Sequence, residues 1–206
     1  MNIEKIRESY TAHELREEDA GDDPVQLFAQ WMNAAVAAGI AEPNGIALAT
    51  VPASVRIVLL RGYDHRGFVF YTNYESAKGL EIAADPRASF TVWWQPLHRQ
   101  IRVSGHIEKV SGEESDAYFA SRPRGHRISA WASAQSSVVA GRAQLAAAEA
   151  EAEKRFPGDV PRPPHWGGYR LVPLEIEFWQ GRENRLHDRL LYRRQGGAWL
   201  LERLSP

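Results

Sequence analysis

The spacing of hydrophobic residues changes once along the chain, near residue 45. In residues 27–36 apolar side chains recur every three to four positions, which is the period of a helix with one buried face. Asp23 before Pro24 is typical of a helix start, and Gly39 predicts the end of the same helix. Beyond residue 45, short segments rich in β-branched and aromatic residues are separated by turn residues, and this pattern predicts strands.

Four further predicted helices interrupt the predicted strands. Strands are expected at Ile46 to Val51, Val55 to Arg61, Phe68 to Thr72, Ala88 to Trp94, Gln100 to Val110, Trp166 to Val172, Leu174 to Gln180, Arg185 to Arg193 and Ala198 to Arg203. Helices are expected at Ser76 to Ala84, Gly112 to Ser121, Arg124 to Ala134 and Ala140 to Phe156. Because the late strands do not alternate with helices, we expect a mainly β fold of the α+β class, an antiparallel barrel with peripheral helices.

Length and composition fit one folded domain. A chain of 206 residues with 44% hydrophobic residues can bury a core without disulfides. Residues 1–22 are rich in Asp and Glu, and we expect them to form a flexible N-terminal arm that is helical in part. Residues 23–206 are expected to form a single domain.

Charge and cysteine content narrow the range of functions. Lys and Arg total 25 against 26 for Asp and Glu, and the resulting net charge of -1 argues against a nucleic-acid partner. The absence of cysteine excludes thiolate nucleophiles and iron–sulfur clusters, so redox chemistry would need a bound cofactor. No apolar run is long enough to span a membrane and no secretory signal is recognisable, so we expect no membrane partner and a cytoplasmic location.

Common catalytic signatures are missing from the chain. It has no Gly-rich dinucleotide motif, no phosphate loop, no Gly-x-Ser-x-Gly elbow and no His-Glu-x-x-His pair. The seven histidines are scattered without the spacing of metal ligands, so no metal site is expected.

Arginines beside apolar segments are candidate anion-binding residues. Arg56 and Arg61 flank an apolar run, and a guanidinium at the end of a buried strand suits the paired oxygens of a phosphate or carboxylate. Tyr118 and Arg122 are four residues apart, so on a helix they would share a face and could bind one phosphate. Solvated surface charges and a surface helix end are the alternatives.

A second candidate lies near the C-terminus. With the two-residue period of a strand, Arg185, His187 and Arg189 would share one face, where adjacent cations favour a bound anion. The alternative is a polar outer face whose charges are balanced by Asp188 and Glu183.

Neutral polar residues complete the set of candidates. Gln100, Gln135 and Ser136 offer amide and hydroxyl groups of the kind that contact the edges of heterocycles, whereas the tryptophans are more often core residues. The chain thus offers anion-binding groups without a nucleophile or an acid/base pair, which fits an enzyme whose cofactor carries the chemistry.

Several ordered motifs carry a family resemblance. In chain order they are Arg56-Ile-Val-Leu-Leu-Arg61, Phe70-Tyr-Thr-Asn-Tyr74 with Ser76 and Lys78, Arg99-Gln100, Tyr118-Phe119 with Ser121-Arg-Pro123, Ala130-Trp131 with Gln135-Ser136, and Trp166-Gly-Gly-Tyr-Arg170 through Glu177-Phe-Trp-Gln-Gly181 to Arg185-Leu-His-Asp-Arg189. With these motifs the chain, from about Asp23 to Pro206, resembles the pyridoxine/pyridoxamine 5'-phosphate oxidases.

The resemblance implies an FMN-binding split β-barrel that forms a homodimer with FMN at the subunit interface. It implies an oxidoreductase, a pyridoxal 5'-phosphate synthase of vitamin B6 metabolism, which oxidises pyridoxamine or pyridoxine 5'-phosphate to pyridoxal 5'-phosphate. The electrons would pass to O2, with H2O2 as the by-product.

The resemblance also assigns residues by motif position. The residues that would hold FMN are Arg56, Tyr71, Thr72, Lys78, Gln100, Gln135, Ser136, Trp179 and Arg189. The residues that would hold the substrate phosphate are Arg61, Tyr118, Arg122 and His126. Arg185 and His187 would be the catalytic residues and lie over the pyridine ring, and Arg7 and Tyr10 would act as a lid.

Some positions depart from the family pattern. Arg61 is often lysine there, His126 is often serine and Ala77 is often arginine. Arg61 keeps the charge, whereas His126 would make substrate affinity depend on pH between about pH 6 and 8. The link from Val51 to Val55 is also shorter than is usual in the family.

Two alternatives to this activity remain. A flavoprotein of the same fold could oxidise another cyclic substrate, as in phenazine formation, because a fold does not fix a function. The chain could also be a non-catalytic protein that binds FMN or pyridoxal 5'-phosphate.

Overall fold

The computed structural model describes Tyr10 and residues 14–206. The helices are α1 (Glu17–Ala20), α2 (Pro24–Ala37), α3 (Ala77–Ala84), α4 (Gly112–Ser121), α5 (Arg124–Ala132) and α6 (Arg142–Arg155). The strands are β1 (Gly45–Thr50), β2 (Ser54–Leu59), β3 (Gly62–Asp64), β4 (Gly67–Asn73), β5 (Arg87–Trp94), β6 (Arg99–Lys109), β7 (Trp166–Gln180), β8 (Asp188–Gln195) and β9 (Ala198–Arg203). A short 3-10 turn lies at Gln95–Leu97, and a non-helical turn lies at Glu183–Arg185.

The described strands form one antiparallel sheet that curls into a half-barrel. Their order is β2-β1-β5-β6-β7-β4-β3, and β8 and β9 continue from β7. The long strand β7 pairs with β6 along most of its length, with β4 near its start and with β8 near its end. Strand β7 therefore connects two parts of the sheet, with β4 and β3 beside its start and β8 and β9 beside its end. The predicted mainly β fold with peripheral helices, a split barrel, is confirmed.

Helix α2 packs against the sheet, as its hydrophobic pattern predicts. The Asp23 side chain accepts a hydrogen bond from the Val25 backbone N–H at 2.9 Å, and Pro24 occupies the first turn, so the helix start is capped as expected. Phe28 and Trp31 are buried, and the Phe28 ring meets that of Phe68 at 4.9 Å. The core therefore lies between α2 and the sheet.

The prediction of two strands between residues 166 and 180 is wrong, because β7 is continuous through Pro173. Proline has no backbone N–H, and the pairing with β6 shifts register at this point: Gly105 pairs with Pro173 and Ser104 with Glu175. Leu174 is the extra residue, so a β-bulge carries the strand past the proline.

The prediction of a strand that starts at Arg185 is also wrong. Residues 183–186 form a tight turn closed by the Leu186 N–H and the Glu183 carbonyl, and it is not helical, because Asn184 and Arg185 have positive φ angles of 54° and 63°. Strand β8 begins at Asp188. Arg185, His187 and Arg189 therefore do not alternate along one strand, and their predicted common face does not exist.

Part of the segment predicted as an arm contacts the barrel. Leu15 and Ala20 are buried within the main core. The Tyr192 hydroxyl donates hydrogen bonds toward the carbonyls of Ala20 and Gly21, at 2.9 and 2.8 Å. No helix among the described residues is long and apolar enough to cross a membrane.

Candidate active site

A cleft of about 640 Å³ opens between β2, β4 and the helices α3 to α5. Its lining includes eight of the residues predicted to bind cofactor or substrate: Arg61, Tyr71, Thr72, Lys78, Tyr118, Arg122, His126 and Gln135. We call it the cation cleft, after Arg61, Lys78 and Arg122. Segments that are far apart in the sequence thus meet at one place.

Lys78 is buried at the start of α3. Ser76 caps the helix, and the Lys78 ammonium donates hydrogen bonds to the hydroxyls of Ser76 and Thr72 at 3.1 and 3.0 Å. Gly79 allows the start of α3 to lie close to the Tyr74 backbone, because a Cβ at this position would be 2.1 Å from the Tyr74 carbonyl oxygen. Burial lowers the pKa of Lys78, and the nearby positive charge of Arg56 lowers it further.

Arg122 lies at the junction of α4 and α5. Its guanidinium carbon is 4.6 Å from the centroid of the Trp166 ring, a cation–π distance. Its Nη1 is buried and has no hydrogen-bond partner among the described residues. Burial lowers the pKa of Arg122, and the charge of Arg61 adds to this effect. A ligand anion would supply the missing partner.

Three aromatic rings form a stack beside Arg122. The rings of Tyr71 and Tyr118 lie 3.8 Å apart with an interplanar angle of 16°, and Trp166 is nearly parallel to both. Burial raises the pKa of Tyr71 to about 12, so its hydroxyl stays protonated and can donate a hydrogen bond at neutral pH.

Neutral and titratable groups complete the cation cleft. The Thr72 hydroxyl donates a hydrogen bond to Gln135 Oε1 at 3.3 Å, which leaves the Gln135 amide N–H groups available. His126 lines the same cleft and is exposed to solvent.

The cations of this cleft differ from most arginines of the described chain in their lack of a carboxylate partner. No ion pair joins Arg61, Lys78 or Arg122 to a carboxylate among the described residues, whereas arginines such as Arg170 and Arg203 are paired with two carboxylates each. Cations that converge without a carboxylate repel one another, and a bound anion relieves this repulsion. The cation cleft is therefore suited to phosphate.

A second group of predicted residues lies at the far end of β7. In the sheet register Trp93 pairs with Gln100, Gln100 with Trp179, and Trp179 with Arg189, so their side chains form one row across four strands. Arg189 donates a hydrogen bond to Glu177 at 2.8 Å, and this contact raises the pKa of Arg189.

His187 and Tyr10 lie over this row. The His187 ring is 4.5 Å from that of Trp179, and the Tyr10 ring is 5.8 Å from that of His187. The backbone N–H of Arg182 donates to His187 Nδ1 at 3.0 Å, so the proton of the neutral ring is on Nε2. Burial lowers the pKa of His187, with a further contribution from Arg185, which favours this neutral form. We call Tyr10, Trp93, Trp179 and His187 the aromatic cluster.

Three of the predicted residues that the structure describes lie outside both groups. The Arg56 guanidinium donates to Glu81 at 2.7 Å and does not line the cation cleft, although its charge lowers the pKa of Lys78. Ser136 is exposed beyond the end of α5, and Arg185 is exposed in the turn before β8. Arg7 lies outside the described residues, and its role as part of a lid stays a prediction.

The two groups of predicted residues are widely separated in one chain. Trp166 lines the cation cleft at the start of β7, and Trp179 lies thirteen residues further along the same strand. At about 3.3 Å per residue the separation along the strand is on the order of 40 Å. Trp166 and Trp179 therefore lie toward opposite ends of β7.

Sequence reasoning missed Trp93 and Trp166 as site residues, because tryptophan is more often a core residue. Trp93 is 44% exposed, whereas its neighbour Trp94 is 1% exposed. Adjacent residues of a strand point to opposite faces, so the pair Trp93-Trp94 already indicates that one of the two rings faces outward. Trp166 opens one of the family motifs but received no role, and it is both a buried core residue and part of the cleft lining.

The chain matches two protein-family models. The model described as "Pyridoxamine 5'-phosphate oxidase" matches residues 32–156, and that described as "Pyridoxine 5'-phosphate oxidase C-terminal dimerisation region" matches residues 166–206. The chain belongs to the pyridoxine/pyridoxamine 5'-phosphate oxidase family. The resemblance inferred from the motifs is thereby confirmed.

Curated relatives match over their whole length. The pyridoxine/pyridoxamine 5'-phosphate oxidase of Bordetella petrii is 55% identical over 211 residues, with 100% of both chains covered. That of Cupriavidus necator is 56% identical over 206 residues, covering 98% of this chain and 97% of the relative. Membership of this family supports an oxidoreductase with FMN as its cofactor.

Solved structures share the fold. PhzG from Burkholderia lata, in complex with tetrahydrophenazine-1-carboxylic acid, is 33% identical with a TM-score of 0.89, covering 95% of this chain and 100% of that one. A pyridoxamine 5'-phosphate oxidase-related, FMN-binding protein from Nostoc punctiforme is 19% identical with a TM-score of 0.70, covering 88% and 96% of the two chains, and shows the fold alone.

Proposed function

We propose that the protein is an FMN-dependent oxidase that converts pyridoxamine 5'-phosphate and pyridoxine 5'-phosphate to pyridoxal 5'-phosphate and reduces O2 to H2O2. The observation that carries this proposal is the cation cleft. Arg61, Lys78 and Arg122 meet there without a carboxylate partner among the described residues. Cofactor and substrate each bring a phosphate, and two phosphates account for this excess of positive charge.

The residues near Lys78 fit FMN. Its buried ammonium, held by two hydroxyls, suits the FMN phosphate, and Arg56 lies close enough to affect its pKa. Thr72 and Gln135 add a hydroxyl and amide donors of the kind that bind the edge of a flavin ring. When bound, FMN supplies the two-electron redox chemistry that no side chain of this chain provides.

The residues near Arg122 fit the substrate phosphate. Arg61 and Arg122 offer fork-shaped donors, Tyr118 and His126 line the same wall, and the aromatic stack with Trp166 fixes the Arg122 side chain. This group binds a part of the substrate that does not react. Binding energy gained there can be used to orient the reacting carbon, so substrates without phosphate should lose rate as well as affinity.

Homodimer formation would complete the site. The matched dimerisation region, residues 166–206, includes Trp179, His187 and Arg189, none of which lines the cation cleft of its own chain. In a homodimer, the aromatic cluster of one protomer can face the cation cleft of its partner, with FMN at the interface. The separation of the two groups along β7 supports this arrangement.

His187 and Arg185 would act at the pyridine ring of the substrate. The neutral His187 ring, fixed through Nδ1, presents an Nε2–H that can donate a hydrogen bond to the substrate. Arg185 adds a cation on the same turn. These two residues orient the substrate and form no covalent bond to it, while Tyr10 covers the ring of His187.

A phenazine-type oxidation is the second candidate, favoured by the similarity to PhzG in complex with tetrahydrophenazine-1-carboxylic acid. That ligand has one carboxylate and no phosphate. The several cations of the cation cleft favour the phosphorylated substrates. A non-catalytic protein that binds FMN or pyridoxal 5'-phosphate is the remaining alternative.

Anaerobic reduction of the bound cofactor tests the proposal. The purified FMN-loaded protein is mixed with pyridoxamine 5'-phosphate, pyridoxine 5'-phosphate, pyridoxamine or tetrahydrophenazine-1-carboxylic acid, and the flavin absorption band is followed. We expect bleaching with the two phosphorylated compounds, recovery on admission of O2, and formation of pyridoxal 5'-phosphate and H2O2. Bleaching by the phenazine compound alone would support the second candidate, and no bleaching with any compound would support the binding protein.

A further inference from the structure

A group of charged residues joins the N-terminal segment to the C-terminal strands. Asp188 Oδ1 accepts a hydrogen bond from Arg203 at 2.8 Å, and its Oδ2 accepts one from the Leu15 backbone N–H at 3.1 Å. Arg203 also donates to both carboxylate oxygens of Glu17 and to the Leu15 carbonyl. We call Leu15, Glu17, Asp188 and Arg203 the Asp188 hub.

Arg182 connects this hub to the active site. Its guanidinium donates to Glu14 at 2.9 Å and lies 3.7 Å from Asp188 Oδ2. Its backbone N–H donates to His187 Nδ1, the hydrogen bond that sets the tautomer of the ring. One residue therefore contacts the N-terminal segment, the Asp188 hub and His187.

The turn between Arg182 and Asp188 has an unfavourable backbone conformation. Asn184 and Arg185 have φ angles of 54° and 63° although neither is glycine. Asparagine adopts this region readily, whereas an arginine there costs free energy and persists only where the surrounding structure holds it. Here the contacts of Arg182 hold one end of the turn and those of Asp188 hold the other.

We propose that Asp188 is a positioning residue of the active site, because it fixes the turn that carries Arg185 and His187 against residues 14–17. This proposal rests on the proposed function, in which His187 and Arg185 orient the substrate ring. Asp188 acts through the turn and through Leu15, and it has no part in the cation cleft. The N-terminal segment is thereby a structural element of the site.

The burial of Asp188 distinguishes it from an ordinary surface ion pair. Its side chain is 21% exposed and contacts two arginines and the distant backbone N–H of Leu15, whereas the Asp64 side chain is 42% exposed and contacts the guanidinium and backbone N–H of Arg66, both within one hairpin turn. Asp64 is therefore a matched control, with the same residue type and an Arg partner at 2.6 Å, in a turn of different function.

The experiment compares Asp188→Asn with Asp64→Asn in the FMN-loaded protein. Asparagine has nearly the same shape as aspartate, but it has one neutral side-chain oxygen in place of the two that accept hydrogen bonds from Arg203 and Leu15. We expect amide hydrogen exchange of Leu15 and of residues 182–187 to rise about tenfold in Asp188→Asn. We expect kcat with pyridoxamine 5'-phosphate to fall about fivefold with little change in KM, because the phosphate-binding residues are untouched. Asp64→Asn should change neither quantity.

A second variant keeps the test decisive if Asp188→Asn does not fold. Glu17→Gln weakens the Arg203 contact from the N-terminal side and should give smaller changes of the same sign. Unchanged exchange at residues 182–187 in both variants, or an equal fall of kcat in Asp64→Asn, would overturn the proposal. If the wild-type protein oxidises no substrate while exchange responds as expected, the proposed function fails and the structural role of Asp188 stands.

Discussion

Arg122 and Arg203 are the same residue type in opposite surroundings. The Arg203 guanidinium contacts the carboxylates of Glu17 and Asp188 and the Leu15 carbonyl. The pKa of Arg203 is raised, mainly by its hydrogen bond to Glu17. The Arg122 guanidinium lies on an aromatic ring without a carboxylate, and burial lowers its pKa. The first arginine has two carboxylate partners within the protein, whereas the buried Nη1 of the second has no partner among the described residues.

This difference separates structural from ligand-binding cations. A cation with a full set of partners stabilises the fold and has little left to offer a ligand. A cation that is desolvated without a partner costs stability in the empty protein and recovers it when an anion binds. Substitutions in the two regions should therefore affect stability and binding in opposite ways.

The largest effect is expected for Arg122→Gln. Loss of a charge-assisted bidentate contact should lower kcat/KM for pyridoxamine 5'-phosphate about 10- to 100-fold, as for a contact of roughly 1.5–3 kcal/mol. The free energy of unfolding of the FMN-free protein should stay the same or rise, because an unpaired buried charge is removed. Steady-state kinetics and denaturant unfolding measure the two quantities. A clear loss of stability together with unchanged kinetics would make Arg122 a structural residue.

The next largest effect is expected for Lys78→Met, and it concerns the affinity for FMN. Removal of the buried ammonium should weaken FMN binding about tenfold, by the loss of one charged hydrogen bond to phosphate. The FMN-free protein should not be destabilised, because burial already lowers the pKa of Lys78 and disfavours its charged form. Flavin fluorescence titration gives the Kd of FMN. Unchanged FMN affinity would remove Lys78 from the cofactor site.

The opposite pattern is expected for Arg203→Gln. The Arg203 contacts are partly exposed to solvent, so their loss should cost about 1 kcal/mol and lower Tm by about 2–4 °C. KM for the phosphorylated substrate should change little, because Arg203 does not line the cation cleft. Calorimetry and kinetics of the same sample check both statements. If Arg203→Gln raised KM as much as Arg122→Gln does, the proposed difference between structural and ligand-binding arginines would be contradicted.

The smallest effect concerns acid stability. The pKa of Glu17 is lowered from 4.5 to about 2, first by the hydrogen bond from Arg203. A lowered pKa means that the ionised form stabilises the fold, so this contribution is complete above about pH 4.5 and is lost as pH falls through 2. The stability difference between wild type and Glu17→Gln should be constant near neutral pH and shrink over this acid range. A difference that stays constant down to pH 2 would contradict the assignment.

Much of the fold could be predicted from local patterns. Helix α2 follows from its apolar spacing and its Asp-Pro start, and most strands follow from their β-branched and aromatic residues. The errors lie where long-range contacts decide the local structure. Pro173 stays within a strand because β6 accommodates a bulge, and the turn at Arg185 is held by contacts of Arg182 and Asp188 with residues 14–17.

The candidate site was less predictable than the fold. The motifs named Arg122 and other residues of the cation cleft, but the sequence did not show that Arg203 is paired with two carboxylates whereas Arg122 has none among the described residues. The Glu17 partner of Arg203 lies 186 residues away, and no local pattern shows which arginine finds such a partner. Trp166, which holds Arg122 through its ring, likewise enters the site through tertiary contacts.

Binding of matched ligands to the wild-type protein and to Arg122→Gln tests the central claim most directly. Calorimetric titration with pyridoxamine 5'-phosphate and with pyridoxamine gives the contribution of the phosphate in each protein. The account predicts that removal of the phosphate weakens binding to the wild type at least 10-fold more than it weakens binding to Arg122→Gln. An equal loss in both proteins would show that Arg122 does not bind the substrate phosphate, and would contradict the interpretation of the cation cleft as a phosphate site.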